Sequence, residues 1–140
     1  MEEGLYTVET KIKVDFFDVD SMRIVWHGNY VKYMEIGRCA LLDEIGFGYM
    51  EMERTGFLFP VATINLKYIR SLHFNETATV KSTLIEYENR IKIRYEIYNE
   101  KGELTTKGES TQMAVRAEDN ETLFECPAVF TDKVKKIINK

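Results

Sequence analysis

The chain has 140 residues, 44% of them hydrophobic and 30% charged, with a formal net charge of -4. That suits one domain with its own core, expected over residues 1–140, and argues against a general nucleic-acid binder, whose affinity comes mostly from neutralising phosphates. It holds no apolar run of the roughly 18 residues that a membrane-spanning helix needs, and its start, M-E-E-G-L-Y-T-V, lacks the basic and apolar regions of a signal peptide.

Residues 6–16 alternate, with Val8, Thr10, Ile12, Val14 and Phe16 facing one way and Thr7, Glu9, Lys11, Lys13 and Asp15 the other. This predicts a half-buried strand. The pattern breaks over 18–23. Across 29–45 the period turns helical, with Tyr30, Tyr33, Met34, Gly37, Leu41 and Ile45 on one face and Gly46 as the stop. Residues 49–54 read as a short helical stretch ended by Gly56. Strands are expected over 60–68, 77–87, 90–98 and 104–117, with turns at Asn99-Glu100-Lys101-Gly102 and Asp119-Asn120-Glu121. A short helix is expected over 132–138. The basic tail, K-V-K-K-I-I-N-K, is too short to argue for a nucleic-acid or membrane contact. A strand, a long helix and then strands predict an α+β fold, an antiparallel sheet wrapped around one helix.

The chemistry gathers just before that helix. Asp18 and Asp20 sit two apart, and the ordinary account of both is a strand end or a turn. The chemical account puts one of them beside an electrophilic carbonyl, where a carboxylate attacks directly or activates water. His27 precedes the helix. Its ring is a candidate base, and its backbone N–H, at the positive end of the helix, is a candidate polariser of a carbonyl oxygen. Asn29 would cap the helix or touch substrate. Trp26, Phe47, Phe57 and Phe59 are candidate linings for an acyl or aryl pocket, although each alone is explained by packing, as are Tyr30 and Tyr33. Lys67, Arg70, Arg90, Lys92 and Arg94 are candidate phosphate contacts against an ordinary role on solvated strand faces. Arg90, next to Glu88-Asn89, is the best placed. Two cysteines, Cys39 and Cys126, and two histidines make no ligand set, so no metal is expected and a reducing, cytoplasmic setting is. P-loop, Rossmann and G-x-S-x-G motifs are all missing from the sequence.

The stretch Phe17-Asp18-Val19-Asp20, Ile24-Val25-Trp26-His27, Asn29-Tyr30, Tyr33-Met34-Glu35 and Arg38 resembles the signature of the 4-hydroxybenzoyl-CoA thioesterase-like branch of the hotdog-fold acyl-CoA thioesterases. The resemblance runs over nearly the whole chain. It implies that Asp20, the second acid of D-x-D, is the nucleophile or general base, and that the His27 amide polarises the thioester oxygen. Asn29 and Tyr30 would shape the loop-to-helix junction. Arg90, with Lys92 or Arg94, would meet the CoA phosphates. It also implies a homodimer with its active sites at the interface, often paired into a homotetramer, and no cofactor, because CoA is part of the substrate. One departure stands out. After D-x-D the family usually carries small residues and glycine, and this chain has Ser21-Met22-Arg23. A position built for positive φ would resist Met22 or Arg23, and Arg23 would suit an acidic group on a substrate. The departure keeps two alternatives open: a non-catalytic hotdog module that binds acyl-thioesters or serves an assembly, and a thioesterase acting on acyl-carrier protein.

Overall fold

The computed structural model describes residues 3–139. Residues 1–2 and 140, the ends of the expected domain and of the basic tail, lie outside the described residues. Strand β1 spans Tyr6–Lys13, shorter than the expected 6–16. Past it the Val14 N–H bonds to the Glu76 carbonyl, and the chain leaves extended geometry for a 3-10 turn at Phe16–Asp18. That turn puts Phe16 out into solvent, 78% exposed, and turns Asp18 inward.

Helix α1 is Asn29–Ile45, as expected. Its buried face is Tyr30, Tyr33, Met34, Gly37, Leu41, Leu42 and Ile45, and Gly46 ends it at φ 94, its N–H returning to Leu42 and Asp43. Helix α2 follows at Tyr49–Thr55. After a short β2 at Phe57–Leu58 come β3 at Val61–Tyr68, β4 at Thr77–Glu86, β5 at Ile91–Tyr98 and β6 at Leu104–Gln112. The main sheet runs β1-β4-β5-β6-β3, antiparallel throughout. On β5, Ile91, Ile93, Tyr95 and Ile97 are buried under the helix, while Lys92, Arg94, Glu96 and Tyr98 are half-buried on the other face.

The expected strand over 104–117 is cut at Gln112. The Met113 N–H turns to the Pro60 carbonyl, and a short β7, Val115–Arg116, pairs instead with β2 and with β8, Glu121–Thr122. Helix α3 runs over Ala128–Ile138, starting earlier than expected, directly after Pro127. Its buried Phe130 packs on Phe47 and Phe59, with ring centroids 5.2 and 5.4 Å away.

Two packing details set where the site falls. Helix α1 crosses β4 so closely at Gly37 that a Cβ there would lie 2.7 Å from Val80 Cγ1 and closer still to Ser82. Gly37→Val is expected to lower stability by about 2–3 kcal/mol through overpacking, read from urea midpoints. The second detail is the place of β3 at the far edge, with β5 and β6 between it and its sequence neighbour β4. The chain must therefore return across one end of the sheet, and residues 69–76 make that crossing beneath the start of α1. Along β3 every residue but Leu66 is exposed, so the strand presents an open edge with Val61, Ile64 and Tyr68 on it.

Candidate active site

Asp18 and Asp20 have different environments. Asp18 is 2% exposed. One carboxylate oxygen takes the Lys32 ammonium, and the other accepts the Tyr33 hydroxyl at 2.9 Å and the Asp15 N–H at 3.1 Å. Burial alone would raise its pKa, but these donors outweigh it and hold the group below the ordinary aspartate range. Burial and the bond to Asp18 push the Tyr33 hydroxyl well above its usual range, so it stays a donor. The Asp18 carbonyl accepts both the Trp26 N–H at 3.0 Å and Asn29 Nδ2 at 2.8 Å. Asn29 is thereby a clamp between the loop and the helix; it makes no side-chain cap. All of these Asp18 contacts are structural.

Asp20 opens a tight hairpin. Its N–H bonds to the Ile24 carbonyl at 2.9 Å, its carbonyl accepts the Arg23 N–H at 3.0 Å, and its Oδ1 accepts the Met22 N–H at 2.8 Å. This is a loop of residues 21–23 whose last residue takes the left-handed conformation, and Arg23 has φ 66. Such loops ordinarily place glycine there. Relief of the Cβ clash in Arg23→Gly is worth roughly 1–2 kcal/mol, against a loss of about 0.4–1 kcal/mol from the looser unfolded chain. A net gain of about 0.5–1 kcal/mol is expected, read as a rise in denaturation midpoint.

Asp20 borders a cavity of about 250 Å³ that His27, Tyr30, Tyr68, Arg70 and Ser71 also line. The Trp26 carbonyl accepts the Asn29 N–H at 2.9 Å. Because the peptide is planar and trans, the His27 N–H points the opposite way, and among the described residues it has no acceptor. Tyr68 donates to the His27 carbonyl at 2.9 Å and packs edge-on against the His27 and Tyr30 rings. The Tyr30 hydroxyl accepts the Leu72 N–H at 3.0 Å, tying the return segment to the helix. A free N–H at a helix start, on a cavity that an aspartate also lines, can bind and polarise a carbonyl group.

Of the expected residues, the structure brings Asp20, His27 and Tyr30 together, with the Trp26 ring tilted against His27 at 4.9 Å between centroids and Arg23 on a second cavity that Asp20 also lines. It does not bring Phe57 or Phe59 there. Phe57 pairs with Arg116 in the small sheet, and Phe59 lines a separate apolar cavity of about 550 Å³ with Leu42, Met52 and Gln112. That cavity is larger than the Asp20 cavity, but its α1 lining, Arg38 to Asp43, lies roughly 13–21 Å along the helix from Asn29 at about 1.5 Å per residue, toward the helix end where carbonyls rather than N–H groups are free. Arg90 pairs with Glu86 at 3.1 Å and Lys92 with Glu109 at 3.7 Å, and neither they nor Arg94 line the Asp20 cavity. Arg70 does. Tyr68 and Ser71 were not singled out from the sequence, where they belong to no motif.

A helix laid on an antiparallel sheet, with a carboxylate and an unused amide at the helix N-terminus, defines a hotdog-fold protein of the thioesterase class. The chain belongs to the Thioesterase-like superfamily, whose family model matches residues 14–135. The Bacillus subtilis protein YneP, named as a candidate acyl-CoA thioesterase, is 39% identical over 115 residues, 81% of this chain and 83% of that one. The crystal structure of DHNA-CoA thioesterase from Staphylococcus aureus superposes with a TM-score of 0.84 at 29% identity, covering 95% of this chain and 91% of that one. A 4-hydroxybenzoyl CoA thioesterase variant complexed with 4-hydroxybenzoyl CoA shares the fold at 14% identity, with a TM-score of 0.79 over 91% of this chain and 98% of that one.

Proposed function

We propose that this protein hydrolyses an acyl-CoA thioester to a carboxylate and free CoA at the Asp20 cleft. The observation that carries the reading is the pairing of Asp20 with the unbonded His27 N–H on one cavity. The thioester oxygen would sit against that N–H, where negative charge developing on it is stabilised. Asp20 then acts in one of two ways. It attacks the carbonyl carbon and expels the CoA thiolate, leaving a mixed anhydride for water to open, or it takes a proton from the attacking water. Of the candidate phosphate contacts, Arg70 alone lines this cleft.

The working unit in this reading is a homodimer, with a homotetramer as the larger assembly. The exposed edge of β3 supports it, since an open strand edge with Ile64 and Tyr68 on it is normally covered. A cytoplasmic setting accords with two unpaired thiols, Cys39 and Cys126. A second reading, hydrolysis of acyl-carrier-protein thioesters, is favoured by the exposed cations Arg70 and Lys67, which would meet an acidic carrier. Thiol release from a panel of acyl-CoAs and one acyl-carrier-protein thioester separates the two. Turnover of neither would sink the hydrolase reading and favour a binding module.

A further inference from the structure

We infer that Arg23 selects the acyl group, and that the preferred thioesters carry a second, free carboxylate on an apolar or aromatic acyl chain. The inference rests on the hydrolase reading above. Asp20 borders a second cavity, of about 470 Å³, walled by Phe16, Phe17, Phe74 and Arg23. Phe16 and Phe74 meet edge to face at 6.0 Å. Phe16 and Phe17 are 78% and 77% exposed, so apolar surface stands open directly beside the reacting carboxylate. The Phe74 N–H bonds to the Arg23 carbonyl at 3.1 Å, fixing this wall to the hairpin.

Arg23 is unlike most other arginines of the chain. Arg38, Arg54, Arg90 and Arg116 each hold an acidic partner. The Arg23 side chain makes no hydrogen bond, ion pair or ring contact with any described residue. It also occupies a backbone position at φ 66 that glycine fills without strain. The Arg23 side chain thus adds no contact among the described residues, while its backbone carries strain. Strain held at the mouth of a site points to a ligand.

The chemistry of the thioester decides which part of the substrate that ligand is. The pantetheine arm next to the sulfur is uncharged, and the phosphates lie at its far end. A guanidinium in the same tight turn as Asp20 is thus too near the reacting carbonyl to meet those phosphates, and the cavity it shares with Asp20 is assigned to the acyl portion. A carboxylate matches its planar fork, and the three phenyl rings suit the chain or ring between the two carbonyl carbons.

The test compares kcat/KM for para-carboxybenzoyl-CoA with its neutral carboxamide, para-carbamoylbenzoyl-CoA, in wild type, Arg23→Gly and Arg23→Lys. Arg23→Gly suits the backbone better than the native residue, so misfolding does not cloud the result. Wild type is expected to prefer the carboxylate by at least about 10-fold, the scale of one charged hydrogen-bonded contact. Arg23→Gly should abolish that preference and Arg23→Lys should keep part of it. Equal turnover of the pair by wild type, or the same preference in Arg23→Gly, overturns the inference. Absence of wild-type turnover on any thioester would defeat the hydrolase reading instead. Calorimetry with the two corresponding benzyl-CoA thioethers then decides Arg23 alone. Tighter binding of the carboxylate that is lost in Arg23→Gly upholds it, and equal affinities reject it.

Discussion

Asp20→Asn should lower thiol release from the best acyl-CoA by at least about 100-fold, the range in which a positioned acid or base contributes. Asparagine keeps an Oδ1 that can accept the Met22 N–H, so the turn that Asp20 begins should persist. The loss is thus one of chemistry, and an unchanged denaturation midpoint would confirm it. Asparagine neither takes up a proton at this pH nor makes a competent nucleophile, so both routes open to Asp20 are closed together. A pulse of substrate in single-turnover mode tells them apart in the wild type. Solvent oxygen-18 appearing in the protein carboxyl, with an unlabelled product acid in the first turnover, marks an anhydride opened at the aspartyl carbon, and direct attack by water leaves the protein carboxyl unlabelled. Turnover unaffected by Asp20→Asn would remove Asp20 from the mechanism.

Asp18→Ala should cost stability rather than chemistry, by about 2–4 kcal/mol. Most of that comes from leaving the buried Tyr33 hydroxyl without an acceptor. Little comes from the ion pair, since the Lys32 side chain is 45% exposed and such pairs are worth about 0–1 kcal/mol. The pH dependence has a definite sign. The folded carboxylate is depressed, so its contribution is fully present above the unfolded aspartate pKa of about 3.9 and is lost as pH falls through the folded value. Urea unfolding of wild type and Asp18→Ala at a series of pH values should show a constant gap at neutral pH that narrows in acid, the remainder being the Tyr33 hydroxyl that a protonated Asp18 can still accept. A gap that does not change with pH would reject the assigned network.

The legible and illegible parts of this molecule differ in range. Helix α1 could be read because a 3.6-residue period and Gly46 are local signals. The clean alternation of Ile91, Ile93, Tyr95 and Ile97 made β5 equally plain. The D-x-D pair could not be divided from its own residues. Two aspartates two apart are chemically alike, and only resemblance to a family pointed to Asp20. What separates them is the departure from strand geometry at Phe16, which turns Asp18 toward Lys32 and Tyr33, 14 and 15 residues away. Nothing near Asp18 announces those partners. The wall formed by Tyr68, Arg70 and Ser71 was hidden for a related reason, because it exists only once β3 is sent to the sheet edge beside β6. Phe57 and Phe59 lie away from the Asp20 cavity because the fold sends Phe57 to the small sheet and packs Phe59 on Phe47 and Phe130, where it lines the separate apolar cavity.

The anchoring of Asp18 has a practical corollary. Its carbonyl and carboxylate together tie the base of the hairpin to α1, whereas Ser21, Met22 and Arg23 are all exposed at the tip. The tip can therefore be diversified without loosening the mount that holds Asp20. Libraries built at positions 21–23 should reach new substrate ranges more cheaply than libraries in the core, and Gly at position 23 is the natural parent from which to begin them.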